Sequence, residues 1–249
     1  MARRGGHEEE MIKLEHVVLA SPEQMEFIIQ GMRNPMNSWG KSDSYENFEV
    51  SYDKETGAEV HYPYYRVGAS DISLMRCLSS AGTDHRKFMR MMPVYVRITA
   101  PLYWWKEFDT YKVGTVTNSC STMHKIQAKE FKLEDFSTEH LKTGSIICLN
   151  DIINELNKYR DKFINFDSLD YNNDIYDLER KAEIKKDILW QMIQLLPSSY
   201  NQTRNVMMNY EALANIYKSR KNHKLDEWRE FCKWIETLPY SELITGGTE

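Results

Sequence analysis

Apolar and polar positions alternate with a period of two in IKLEHVVLA, residues 12–20, and in VYVRITAP, residues 94–101; each stretch predicts a half-buried strand. SPEQMEFIIQGMRNPM, residues 21–36, changes to a helical period. Ser21 stands at the N-cap and Pro22 at the first helical position, with Glu23 and Glu26 close behind, where carboxylates face the positive end of the helix dipole. VSYDKETGAEVHYPYY, residues 50–65, reads as a hairpin with KETG at its turn. Two helices follow: DISLMRCLSSAG, closed by Gly82, and a second from about Asp84 that carries HRKFMRMM up to Pro93. PLYWWKEFDTYK, residues 101–112, predicts a helix entered by Pro101, with Leu102, Trp105, Phe108 and Lys112 around one broad face.

Helical spacing dominates the rest. It covers Ser145 to about Phe163 and, after the polar connection FDSLDYNNDIYD, the stretch DLERKAEIKKDILWQMIQLLP, which Pro197 ends. TRNVMMNYEALANIYKSRKN and LDEWREFCKWIETLP read as two further helices joined by a basic turn. This order describes an α+β protein with few strands, all in the first half, and a helix-rich C-terminal half. Residues 1–10 read as a flexible N-terminal tail and 11–245 as a single domain elaborated by a hairpin insertion near 45–66. Neither GxGxxG nor a P-loop pattern occurs, and no internal repeat is present.

Composition narrows the class of function. Of 249 residues, 41% are hydrophobic and 12% aromatic, enough apolar surface for a packed core. The net charge is -5 with both signs interspersed, which leaves no concentrated basic patch for a nucleic-acid backbone. The most apolar window, MMPVYVRITAPLYWW, is broken by Pro93, Arg97 and Pro101, so neither membrane span nor signal peptide is expected. Cys77, Cys120, Cys148 and Cys232 lack CxxC spacing and read as reduced thiols of a cytoplasmic protein. The histidines lack zinc spacing, so no metal site is expected.

Several polar positions bear two readings. In NYEALANIYKSR, Asn209 and Arg220 are eleven positions apart, about three helical turns, and fall on one face with Leu213 and Ile216. Either Arg220 serves the helix dipole and Asn209 bonds a neighbouring helix, or the pair holds a ligand along the helix. His85 is a cap or surface residue on one reading and a ligand contact on the other. Trp104 and Trp105 are read as core. TYKVGTVTNSCSTMHK, residues 110–125, suits a ligand loop as well as a plain polar strand.

Taken as a chain, these positions resemble the flavin-dependent thymidylate synthases, the ThyX family. The likeness begins at IKLEHVVLASPEQMEFIIQGMR, runs through His85 and the strand ending in ITAP, and is strongest in LLPSSYNQTRNVMMNYEALANIYKSRKNHKLDEWREFCKWI. There Leu196-Pro197, Asn209, Asn215, Arg220 and KLDEWREF match the family pattern without gaps. The family's Arg-His-Arg signature, carried forward from Ala100-Pro101, meets Thr110, Tyr111 and Lys112; its later serine, glutamate, serine and arginine meet Thr115, Asn118, Cys120 and Thr122. Glu211 stands where the family usually has arginine, and Lys106 replaces an arginine before the signature.

The resemblance implies a ThyX-like fold, with a small, mostly antiparallel sheet and several long helices. It implies FAD held by His85, Asn209 and Asn215, and a pyrimidine deoxynucleotide such as deoxyuridylate (dUMP) held by Lys106, Lys112, Thr115, Asn118, Cys120 and Arg220. It also implies a homotetramer with sites shared between subunits, and reductive methylation of the base or a related modification. That chemistry belongs to the flavin and a folate carbon donor, with the protein orienting the pyrimidine, and no residue is assigned as catalytic. Because threonine cannot imitate the guanidinium fork and lysine does so only as a point charge, the changed signature leaves an alternative: an inactive relative that binds a nucleotide or a protein partner through the same groove. A third reading makes Cys120 a nucleophile toward the pyrimidine ring.

Overall fold

Ser21 opens the first helix by a closed exchange of hydrogen bonds. In the computed structural model, which describes residues 11–166 and 178–246, Gln24 N donates to Ser21 Oγ at 3.3 Å and Ser21 N donates to Gln24 Oε1 at 2.9 Å. With Pro22 at the first position, this box starts α1, Pro22–Arg33, directly after β1, Lys13–Leu19. Met25, Ile28, Ile29 and Met32 form the buried stripe of α1. The tail at 1–10 and all of the polar connection after Phe166 lie outside the described residues.

The hairpin is present as β2, Tyr45–Tyr52, paired antiparallel with β3, Glu59–Arg66. Its turn is held by Asp53, whose Oδ1 accepts from Glu55 N, Thr56 N and Thr56 Oγ1, and it closes through Gly57 at φ +69°. Next come α2, Ala69–Ser80, α3, Lys87–Met91, and β4, Pro93–Pro101. At the root of the hairpin, Asp71 is fully buried and accepts from Arg33 Nε, Ser42 Oγ and Ser44 Oγ, each at 2.6 Å. Without these partners a buried carboxylate would carry a large desolvation cost.

Two predicted helices are shorter than expected. α3 spans five residues instead of starting near Asp84, and α4, Leu102–Phe108, stops before Lys112. Trp104, Trp105 and Phe108 are all buried within that short helix, while Asp109, Thr110 and Lys112 are exposed and gain no burial from its continuation. The segment read as either loop or strand contains both: an irregular stretch to Thr115, then β5, Val116–Ser119, and α5, Thr122–Lys125.

The helices α6, Thr143–Ile164, and α7, Leu178–Leu195, follow as expected. TRNVMMN does not continue as helix; it lies in β6, Asn201–Asn209, so the strands are not confined to the first half. β6 occupies an inner position of a four-stranded sheet of order β1-β4-β6-β5, and Gln202, Val206 and Met208 are buried on it. Hydrogen-bonded neighbours on both edges outweigh the modest local helix preference of Met and Arg. α8, Tyr210–Arg220, α9, Asp226–Glu236, and α10, Glu242–Thr245, complete an α+β fold with small antiparallel sheets.

The chain divides into two units. Among the described residues, one comprises 11–13, 98–108, 118–166 and 178–204, and its helical core joins Ile126, Phe131 and Phe136 to Leu149, Ile153 and Leu156 of α6 and Met192 of α7. The other comprises 14–97, 109–117 and 205–249, and buries Leu213 and Ile216 of α8 and Trp228, Phe231 and Ile235 of α9. Among the described residues no helix is long and apolar enough to cross a membrane, and no His/Cys/Asp/Glu cluster could hold a metal ion.

Candidate functional site

α8 carries a different polar device at each end. Asn209 is the last residue of β6, in extended conformation (φ -129°, ψ 168°), and caps α8 by accepting from Ala212 N at 2.9 Å. It therefore enters the helix from a strand and does not share a continuous helical face with Arg220. Leu213 and Ile216, the stripe between the two, are fully buried, and Asn215 is exposed. Gly114 passes over the cap at φ +76°, where an added Cβ would come within 2.7 Å of Asn209 Nδ2. A glycine is needed there both for the backbone angle and for the approach.

At the other end Arg220 sits in a cage of rings. Its Nε donates to Tyr111 Oη at 2.8 Å, Nη1 lies 3.0 Å from His223 Nε2, and its guanidinium carbon is 4.7 Å from the centre of Trp228 and 5.5 Å from that of Tyr111. Tyr111 and Trp228 meet edge to face at 6.0 Å. Thr115 Oγ1 donates to the carbonyl of Tyr111, which closes the loop beneath the ring. Lys112 is exposed on the same loop, and the following Val113 is 91% exposed. The Tyr111 bridge thus joins the end of α8 and its basic turn Lys218–Lys224 to the loop that carries Lys112 and Thr115.

His85 is exposed in the turn before α3, its N bonded to the carbonyl of Gly82 at 3.1 Å. Arg90 binds this turn to α8: Nη2 donates to Thr83 O at 3.3 Å, while the guanidinium forms a two-point ion pair with Glu211 in the first turn of α8. Arg90 thereby ties the turn that contains His85 to the first turn of α8. Glu211 also offsets the cation that could otherwise meet an anion there.

Lys106, Asn118 and Cys120 belong to the other unit. Lys106 is exposed on α4, and Asn118 is exposed on β5. Cys120 is exposed and fixed by its backbone: its N donates to Thr203 O at 3.0 Å, and its carbonyl accepts from Gln202 Nε2 at 2.9 Å. Gln202 Oε1 in turn accepts from Arg204 Nε at 2.9 Å, and the Arg204 guanidinium stacks 4.2 Å over Trp105. No general base accompanies Cys120 in these contacts, so they do nothing to activate its thiol.

Sequence reading missed Tyr111, Gly114, His223 and Trp228 as partners of the site. Gly114 had a signal, a lone glycine in a polar loop; Trp228 had none, being one of the core positions on an amphipathic helix. Nearby, burial pushes the Cys232 thiol up to about 11, with Glu236 adding to the shift and Arg220 opposing it. This thiol is neutral and inert near pH 7.

Donor chemistry differs between the two ends. The Arg220 end suits a phosphate, with positive groups from a helix terminus, a loop and a turn. The Asn209 end offers the amide of Asn209 and a guanidinium already paired with Glu211; it suits hydrogen bonding to a neutral polar group and does not fit a pyrophosphate.

No family model matches the sequence, and no curated protein does. Solved structures do. Two crystal structures of the flavin-dependent thymidylate synthase ThyX from Helicobacter pylori with FAD and dUMP have TM-scores of 0.53 and 0.52 against this chain, each at 14% identity. The matches cover 94% of this chain and 96% and 95% of those chains. The fold is similar to that of ThyX over nearly the whole chain.

Proposed function

We propose that this chain is a thymidylate-synthase-like protein that binds a pyrimidine deoxynucleoside monophosphate such as dUMP at the Arg220 end of α8. The observation that carries this reading is the Tyr111 bridge, which seats Arg220 against the loop bearing Lys112 and Thr115. Two positive charges and a hydroxyl are then available to one phosphate, with Tyr111 and Trp228 fixing the direction of the guanidinium. Asn118 and Cys120 would lie toward the base, and Lys106 would add charge, when subunits of a homotetramer share the site. FAD would be held by Asn209, Asn215 and His85 through hydrogen bonds to its ring; when bound, it supplies the redox chemistry for reductive methylation. With Glu211 closing the Arg90 fork, its pyrophosphate lacks a counter-charge at that end, and the expected occupancy is low.

A second reading, an inactive relative that keeps a nucleotide or a protein partner, draws support from the same Glu211–Arg90 pair and from Asn118 where a carboxylate would stand. Two measurements separate them. The visible spectrum of the purified protein, with and without added FAD, reports flavin; calorimetry with dUMP reports the nucleotide. Heat of binding without flavin colour selects the inactive relative, and no heat with dUMP removes the nucleotide reading altogether.

A further inference from the structure

α2 and α10 enclose a cavity of about 600 Å³ whose chemistry the nucleotide reading does not use. Arg76, Ser79 and Ser80 from the end of α2, Arg86 from the turn before α3, and Ser241 and Thr245 line it. The lining residues include two arginines and one carboxylate, Glu242, so the lining carries net positive charge. Arg76 Nη2 donates to Glu242 Oε1 at 3.0 Å, and this pair is largely in solvent. Arg86 differs: its Nε is buried and has no hydrogen-bond partner. The Arg86 side chain is half-buried and no carboxylate among the described residues pairs with it, so its guanidinium charge is left for an anion entering the cavity.

We propose that this cavity is a binding site for a small phosphate monoester, separate from the candidate site at Arg220. A planar carboxylate is matched by one guanidinium fork, and Glu242 holds Arg76 by a single contact, whereas a tetrahedral phosphoryl group can engage two guanidinium groups from different directions. Hydroxyls supply the remaining contacts. Ser79 Oγ and Ser80 Oγ donate to the carbonyl of Arg76, and Ser241 Oγ to that of Glu236, and each hydroxyl can turn its hydrogen to a ligand oxygen. The cavity exceeds the size of a bare ion, and its lining is aliphatic and hydroxylic with no aromatic ring, which fits a polar body better than a nucleobase.

The test uses the full chain at constant ionic strength, with inorganic phosphate and glycerol 3-phosphate as probes and sodium chloride as the control. Both phosphates should raise the thermal midpoint above the chloride control, glycerol 3-phosphate at lower concentration. Arg86→Gln should weaken binding of both by roughly tenfold or more. Glu242→Gln, which removes the competing carboxylate, should tighten binding roughly threefold, and reads out even if the arginine variant folds poorly. In the Arg220→Ala background, which removes phosphate binding at the candidate nucleotide site, both probes should still raise the midpoint, and adding Arg86→Gln should remove that rise. A wild-type midpoint no higher in phosphate than in chloride overturns the proposal, as does a phosphate effect that vanishes in Arg220→Ala alone or survives the double substitution.

Discussion

Gly114 lies so close to Asn209 that an added Cβ would come within 2.7 Å of its Nδ2, and either the loop carrying Lys112 or the capping side chain would have to shift. The positive φ of +76° makes the substitution unfavourable in itself. Gly114→Ala should therefore lose about 1–2 kcal/mol of stability from strain and steric displacement together. Urea unfolding measures it. In a double-mutant cycle, Asn209→Ala should relieve part of the Gly114→Ala loss; strictly additive losses would place the clash elsewhere.

Asn209 caps a helix whether or not a ligand is present. Asn209→Ala should cost about 1 kcal/mol in the ligand-free protein, and Asn209→Ser or Asn209→Asp should restore most of it, because either side chain accepts from Ala212 N. Flavin occupancy should fall with all three, since none of them keeps the amide donor. Serine and aspartate variants that matched alanine in stability would show that the cap contributes nothing.

Arg220 is tied to Tyr111 and lies over Trp228, so its loss has a structural part and a ligand part. Arg220→Ala should lower stability by about 1–2 kcal/mol without ligand, from the hydrogen bond and the cation–π contact. It should also abolish stabilisation by dUMP. Arg220→Lys should keep part of the charge effect and lose the fork. The decisive quantity is the dUMP-induced rise in thermal midpoint, subtracted from each variant's own baseline; an undiminished rise in Arg220→Ala rules out this residue as the phosphate contact.

How much of this was legible in the sequence depends on whether the signal was local. The Ser21 cap, the KETG turn and the long amphipathic helices are written in short windows, and the structure has them where those windows put them. β6 was hidden because its identity as a strand depends on β4 and β5, distant in sequence, and the helical run after Asn209 masked its alternation of Val206 and Met208. The asparagine before Tyr-Glu-Ala-Leu was itself a helix-start signal that would have divided the two. In the candidate site, Arg220 stood out by its position in the matching pattern, but the rings that orient it come from a loop and from α9, and only folding brings them to it.

Alkaline pH should weaken the fold through Cys232. Burial raises its thiol from 9.0 to about 11, so the native state holds the proton where the unfolded chain releases it. The stabilising effect is complete below pH 9, declines as pH rises toward about 11, and is lost above that. The loss should be about 2 kcal/mol over this window. Stability measured against pH for wild type and Cys232→Ala gives the check: the variant should lack this component of the decline, and parallel curves would assign the decline to other groups.

The helix between Asn209 and Arg220 also acts as a fixed spacer. Ten residue steps at the helical rise put Tyr210, directly after Asn209, about 15 Å from Arg220, and the fully buried Leu213 and Ile216 anchor the helix between them. On the proposed reading, a compact ligand held at Arg220 therefore leaves the Asn209 end open.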